Sequence, residues 1–266
     1  MKTGTSGVKK GLRMSERMKA LREQWLQEEE HALVGWDFSH LEGRVQEGPL
    51  PWDYGALVRE HLRPEHQLLD MGTGGGEFLL SLDHPPAQTA VTEGYVPNLA
   101  LCRERLTPLG IRVEAVEEDD RLPFEDATFD IILNRHESLD AQEVFRCLKP
   151  GGLFLTQQVG GQNNRDLSLR LIPGFVPPYA DHDLKHNASL LKAAGLRLLR
   201  GEEAFPPLRF LDVGALVFFA RAIPWEFPDF SVEKCLQVLE SMQRDLDAGL
   251  HLTGLEHRFL LLAEKP

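Results

Sequence analysis

Between Leu68 and Phe78 the chain reads LLDMGTGGGEF, an apolar run that ends in an acid and breaks into glycines. Glycine has no Cβ, so it takes positive φ at little cost and lets a ligand lie directly against backbone N–H groups. Asp70 falls near the end of a strand predicted over 67–71, where an open α/β sheet puts its ligand crevice. Such a loop suits an adenosine-containing cofactor. A dinucleotide loop needs glycines at its first, third and sixth positions, the last for close helix–strand packing. Counting from Gly72, the third position is Gly74 but the sixth is Glu77, whose charge would face a pyrophosphate. The spacing speaks against a dinucleotide.

Acids recur downstream. Glu93 follows a strand predicted over 88–92, and Glu117 to Asp120 form an acidic run just before Leu122-Pro123-Phe124. A strand predicted over 129–133, apolar except for Asp130, ends in Asn134-Arg135-His136-Glu137, and Lys149-Pro150-Gly151-Gly152 turns into another strand over 153–159. The pattern of Asp70, Gly72, Gly74 and Gly76, then Glu93, then the acid before Leu-Pro-Phe and the Phe129-Asp130 strand opening, resembles class I S-adenosylmethionine (AdoMet)-dependent methyltransferases, of the small-molecule, type-11-like kind. The matching motifs cover about residues 66–160.

The resemblance implies AdoMet as cofactor and assigns roles. Asp70, with Gly72, Thr73, Gly74 and Gly76, would border the cofactor's amino-acid end, and Asn134 would lie beside it. Glu93 would take both ribose hydroxyls, since two adjacent donors match the two oxygens of a carboxylate. Glu118, or Asp119 one residue on, would accept from the adenine amino group. The methyl group would lie near 134–137. There His136 is the first candidate for a general base, its ordinary pKa being near 6.5, followed by Glu137 and Tyr54.

Elements are needed to position these groups. The resemblance implies an α/β, Rossmann-like, doubly wound sheet of seven strands, mostly parallel with an antiparallel last strand, plus an N-terminal helical extension. Residues 1–13 read as a disordered leader, and 14–62 as a helical and aromatic cap with a helix starting at Ser15. Residues 63–266 read as the methyltransferase domain, with a lid-like insertion at 160–184. Trp36, Phe38, Trp52 and Tyr54 crowd the cap as a satellite core or as a lid over the cofactor.

Composition narrows the partners. The chain carries 29 basic and 41 acidic residues, a net charge of −12. Residues 1–22 hold seven basic residues and one acid, leaving 22 basic against 40 acidic elsewhere, or −18. Such a body repels a phosphate backbone, so a small-molecule acceptor is expected and nucleic acid is disfavoured. No apolar run approaches the about 18 residues of a membrane span, and no signal-peptide core opens the chain. Cys102, Cys147 and Cys235 are scattered without zinc or disulfide spacing, which fits a cytoplasmic setting. His182 and His186, flanked by Asp181 and Asp183, lie beside Pro177-Pro178 in a loop or helix start, so no metal is expected. Three other readings share parts of this pattern: an RNA methyltransferase using the basic N-terminal arm, a nicotinamide oxidoreductase, and a non-catalytic AdoMet-binding interaction protein.

Overall fold

The computed structural model describes residues 5–32, 38–116 and 121–266, with side chains from residue 16 onward. In chain order the elements are α1 (Thr5–Glu30), β1 (Val45–Glu47), α2 (Tyr54–His61), β2 (Leu68–Met71), α3 (Glu77–Leu80), β3 (Thr89–Glu93), α4 (Val96–Arg105), β4 (Arg112–Ala115), β5 (Phe129–Arg135), α5 (Ala141–Cys147), β6 (Leu148–Val159), α6 (Arg165–Leu171), α7 (Leu184–Ala193), β7 (Arg197–Ala204), β8 (Pro207–Phe210), α8 (Val213–Ala222), α9 (Val232–Asp247), β9 (Leu252–Leu255) and β10 (Arg258–Glu264). They form two compact units.

The sheet unit comprises residues 50–161, 179–205 and 257–266. Its seven strands run in the order β4-β3-β2-β5-β6-β10-β7. The five from β4 to β6 are parallel, and β10 inserts antiparallel between β6 and β7. This is the expected doubly wound sheet. Side chains alternate between its faces: Leu69, Met71 and Ile132 pack with Phe154 and Phe259 on one side. Leu68, Val91, Ile131 and Leu133 pack with Leu57, Val58 and Leu106 on the other. Burial on both faces explains why the central strands carry apolar residues at successive positions.

The helical unit comprises residues 1–49, 162–178 and 206–256. A three-stranded antiparallel sheet, β1-β8-β9, accompanies α1, α6, α8 and α9. Its core gathers Trp25, Phe210, Phe218, Phe227, Leu239 and Met242. Asp212 and Ser231 cap α8 and α9 by accepting from Ala215 N–H and Lys234 N–H.

Three expectations change. Helix α1 begins at Thr5, ten residues before the Ser15 cap, so most of the segment read as a disordered leader is helical. Extending a nucleated helix through Lys9, Lys10, Leu12 and Arg13 costs little. Residues 206–256 leave the expected 63–266 domain and join the N-terminal segment, and the lid-like insertion contains α6 and divides between the units. The aromatic cap separates too. Phe38 packs in the core of the helical unit, whereas Trp52 and Tyr54 belong to the sheet unit. Trp36 lies outside the described residues.

Candidate active site

The carboxyl ends of β2, β3 and β5 bring Asp70, the glycine loop, Glu93 and residues 134–137 to one edge of the sheet. Gly72, Gly74 and Gly76 all take positive φ (62°, 62° and 80°) as the chain leaves β2 for α3. At Gly76 a Cβ would also meet Leu106 Cδ2 at 2.9 Å, and at Gly72 it would strike Glu137 Cβ at 2.6 Å. Beside Gly74 there is open space, with no atom within 4 Å of a Cβ built there.

Helix α4 holds the loop from behind. The buried Cys102 thiol donates to Gly74 O at 2.8 Å, and Arg105 donates to Gly75 O at 2.8 Å. Burial pushes the Cys102 pKa up to about 11, with the Glu93 charge adding to it, so the thiol keeps its proton. With those two carbonyls engaged toward α4, the loop peptides are fixed in orientation.

Glu93 is 4% exposed. Gly74 N–H donates to its Oε2 at 2.8 Å and Tyr95 N–H donates to its Oε1 at 2.9 Å. Each oxygen thus has one backbone donor and keeps further acceptor capacity. The carboxylate is fixed beside the glycine loop with both oxygens able to receive hydroxyls.

Asp70 is as deeply buried, and among the described residues it makes no ion pair. Burial pushes its pKa up to about 6; Thr73 and the Arg135 charge pull it down, and the Glu93 charge adds to the rise. The Thr73 hydroxyl lies nearby, buried and without a well-formed hydrogen bond. An acid lifted by burial, a hydroxyl in need of a partner and a Cβ-free cradle fit a cationic ligand that carries hydroxyls.

Glu137 lies across Gly72, which joins it to the loop. The other strand-end candidates behave differently. Asn134 is fully buried, and its side chain is spent inside the sheet: Oδ1 accepts from Thr156 Oγ1 and Gln158 Nε2, and Nδ2 donates to Ser138 O. It ties β5 to β6 and has little left for a ligand. Tyr54 donates to Leu155 O at 3.2 Å and Asn134 O at 3.4 Å. Burial, and then the Asp70 charge, push its pKa well above the usual phenol range, so it is no proton acceptor.

His136 sits at positive φ (64°), uncommon for a residue with a Cβ. The Trp52 indole donates to Gln157 Oε1 at 2.7 Å, which turns the Gln157 amide nitrogen toward His136 Nε2 at 3.2 Å. That arrangement makes Nε2 the acceptor. Burial, with Arg258 and Arg135 nearby, pushes the imidazole pKa below its ordinary value. More than a third of the residue is nonetheless open to solvent, which softens the push without reversing it. The ring is neutral at pH 7 and a weaker base than free histidine.

Glu118 and Asp119 lie outside the described residues. Among the described residues no cluster of three or more His, Cys, Asp or Glu side chains could hold a metal ion, and no helix is long and apolar enough to cross a membrane. His182 faces Asn187 and packs on Phe259, and His186 N–H is bonded by the Asp183 cap.

Several residues of the site escape sequence reasoning. Gln157 and Gln158 follow the apolar Leu153-Phe154-Leu155 in β6, and that polar pair was a signal. Cys102 and Arg105 left none, because their partners are loop carbonyls 28 and 30 residues away. Beside the site is a cavity of about 500 Å³ whose lining includes Trp52, Tyr54, Arg59, Phe78, Arg135 and Gln157.

Residues 69–156 match the family model described as a methyltransferase domain. Solved structures share the fold at low identity. A Bacillus halodurans protein described as a candidate methyltransferase aligns with a TM-score of 0.54 at 19% identity, over 80% of this chain and 99% of its own. The YcgJ protein of Bacillus subtilis gives 0.53 at 18%, over 80% and 97%. The [4+2]-cyclase SpnF gives 0.51 at 19%, over 83% and 87%. A 63-residue stretch is 36% identical to cell division cycle protein 27 homolog A of Arabidopsis thaliana, covering 24% of this chain and 9% of that protein's length.

Proposed function

We propose that this chain, which carries a class I AdoMet-dependent methyltransferase domain, transfers a methyl group from that cofactor to a small-molecule acceptor. The observation that carries the reading is Glu93: a buried carboxylate held by two backbone N–H groups against a positive-φ glycine loop, with acceptor capacity left on both oxygens. A ribose diol meets that need. Asp70 balances the positive charge of the amino-acid and sulfonium end, and Thr73 supplies a hydroxyl beside it. Glu118 or Asp119 holds the adenine amino group.

The bound cofactor supplies a methyl group already activated as a sulfonium. The protein's work is then alignment and exclusion of water. Tyr54 serves as a strut beneath the site, bonding two backbone carbonyls. His136, neutral and depressed in basicity, offers a hydrogen bond to an acceptor and no strong pull on its proton. The rim formed with Glu137 therefore suits a nucleophile that is unprotonated at neutral pH, or one that sheds its proton to water.

Calorimetric titration tests the reading. AdoMet and S-adenosylhomocysteine bind to the wild type with micromolar affinity, and NADH does not compete. Binding of NADH in place of both would overturn it. With an acceptor present, S-adenosylhomocysteine accumulates; saturation by AdoMet without turnover on any acceptor would leave a binding protein and not an enzyme.

A further inference from the structure

The net charge of −12 argues for cationic or neutral substrates, yet the cavity beside the site carries two guanidinium groups. Arg135 closes β5 and lies over the Phe78 ring, 4.6 Å from its centroid. Arg59, on α2, donates to Ser81 O at 3.3 Å. Among the described residues, neither guanidinium is within ion-pair distance of a carboxylate, although Arg17, Arg44, Arg105, Arg146, Arg170 and Arg197 each are. The one acid in the lining, Asp53, accepts from Ala56 N–H at 2.9 Å as the cap of α2. The walls are aromatic: Trp52, Tyr54 and Phe78, with Tyr54 and Phe78 centroids 5.4 Å apart. About 500 Å³ lies within the range of small-molecule pockets.

We propose that this cavity receives the methyl acceptor, and that the acceptor is an aromatic carboxylate whose charged group is held by Arg59 and Arg135. A guanidinium held over a ring face without a carboxylate partner has N–H donors to offer a planar, two-oxygen partner. The ring of Phe78 and the edges of Trp52 and Tyr54 pack against a flat apolar body. The position at the ends of β5 and β6 puts such a molecule beside the methyl donor of the reading above, on which this assignment rests. Recognition is local: two guanidinium groups with no carboxylate within ion-pair distance among the described residues create an anion site inside an acidic protein.

The same guanidinium groups would also fit the carboxylate of the cofactor itself, so the test separates the two sources. Wild type, Arg135→Gln and Arg59→Gln are first titrated with S-adenosylhomocysteine. The loaded proteins are then titrated with 2-naphthoate and with its neutral isostere 2-naphthamide. The expected result is unchanged S-adenosylhomocysteine affinity in both variants, with naphthoate bound at least tenfold tighter than naphthamide by wild type and that preference lost in each variant. Equal binding of acid and amide, or binding of neither, overturns the assignment. A tenfold loss of S-adenosylhomocysteine affinity in Arg135→Gln also overturns it, by giving the guanidinium to the cofactor. Failure of the wild type to bind S-adenosylhomocysteine is a separate result, which removes the cofactor reading and this assignment with it. Both arginines are exposed, so circular dichroism should show both variants folded.

Discussion

Charged side chains are treated in opposite ways in the two units. In the helical unit a cavity of about 400 Å³ is lined by Glu28, His40, Arg44 and Asp212, and every one of them is paired. Arg44 reaches Asp212 at 2.7 Å and Glu28 at 2.8 Å, and His40 reaches Glu28 at 2.6 Å. Burial works against both acids, yet hydrogen bonds from Arg44, and from His40 to Glu28, hold them below the usual carboxylate range. In the sheet unit, among the described residues, Asp70 is buried without an ion pair and lifted to about 6, Arg59 and Arg135 have no carboxylate within ion-pair distance, and the Thr73 hydroxyl makes no well-formed hydrogen bond. Cavity size does not separate the two places. Satisfaction does: the network in the helical unit is complete in itself, whereas the proposed reading has a ligand complete the groups at the strand ends.

The contrast is sharpest at Glu93. Glu93→Gln removes the charge and sets an amide against the Gly74 and Tyr95 donors. S-adenosylhomocysteine affinity should fall about 100-fold, roughly 2.7 kcal/mol, by calorimetry. A change under threefold would mean that Glu93 only braces the loop.

Asp70 should trade stability for binding. Between the ordinary carboxylate value of 3.8 and about 6, the folded state holds more protons at this group than the unfolded chain does. Its contribution to stability is therefore fully present below 3.8 and lost as the pH rises through about 6. Asp70→Asn should stabilise the ligand-free protein by about 2 kcal/mol at pH 8, with the gain vanishing toward pH 4, while cofactor affinity drops. Denaturant melts of both proteins across that range measure it, and a gain that does not vary with pH would contradict the assignment.

The helical unit should show the reverse. Arg44→Met leaves Glu28 and Asp212 without their cation and should cost about 2 kcal/mol of stability, with S-adenosylhomocysteine affinity of the folded protein unchanged. Loss of cofactor affinity without loss of stability would erase the distinction between the units.

What could be read from the sequence was what local backbone demands reveal. Three glycines at alternate positions require a conformation that few other residues adopt, and Glu93 at a strand end needs only the strand to be recognised. The central strands were legible because burial on both faces concentrates apolar residues at successive positions. The division into units was not, since α8 is apolar almost all round and nothing in Val213–Ala222 says that its partners include Trp25. Tyr54 stood among the candidate bases as one of the aromatics of the cap. The carbonyls of Asn134 and Leu155, 80 and 101 residues on, are what occupy it. The side-chain partners of Asn134 were hidden for the same reason, lying one strand away on β6.

The smallest expected effect concerns proton transfer. His136→Gln keeps a hydrogen-bonding side chain and should change kcat less than about threefold, and wild-type kcat should show no imidazole inflection between about pH 6.5 and 9. A bell-shaped profile abolished in the variant would restore His136 as a general base.

The most direct measurement is a crystal structure with S-adenosylhomocysteine bound. The ribose hydroxyls should meet the two oxygens of Glu93, with the amino-acid end over Gly72–Gly76 beside Asp70 and adenine against Glu118 or Asp119. A ligand found elsewhere, or one bound with Glu93 turned away from the ribose, would contradict the account.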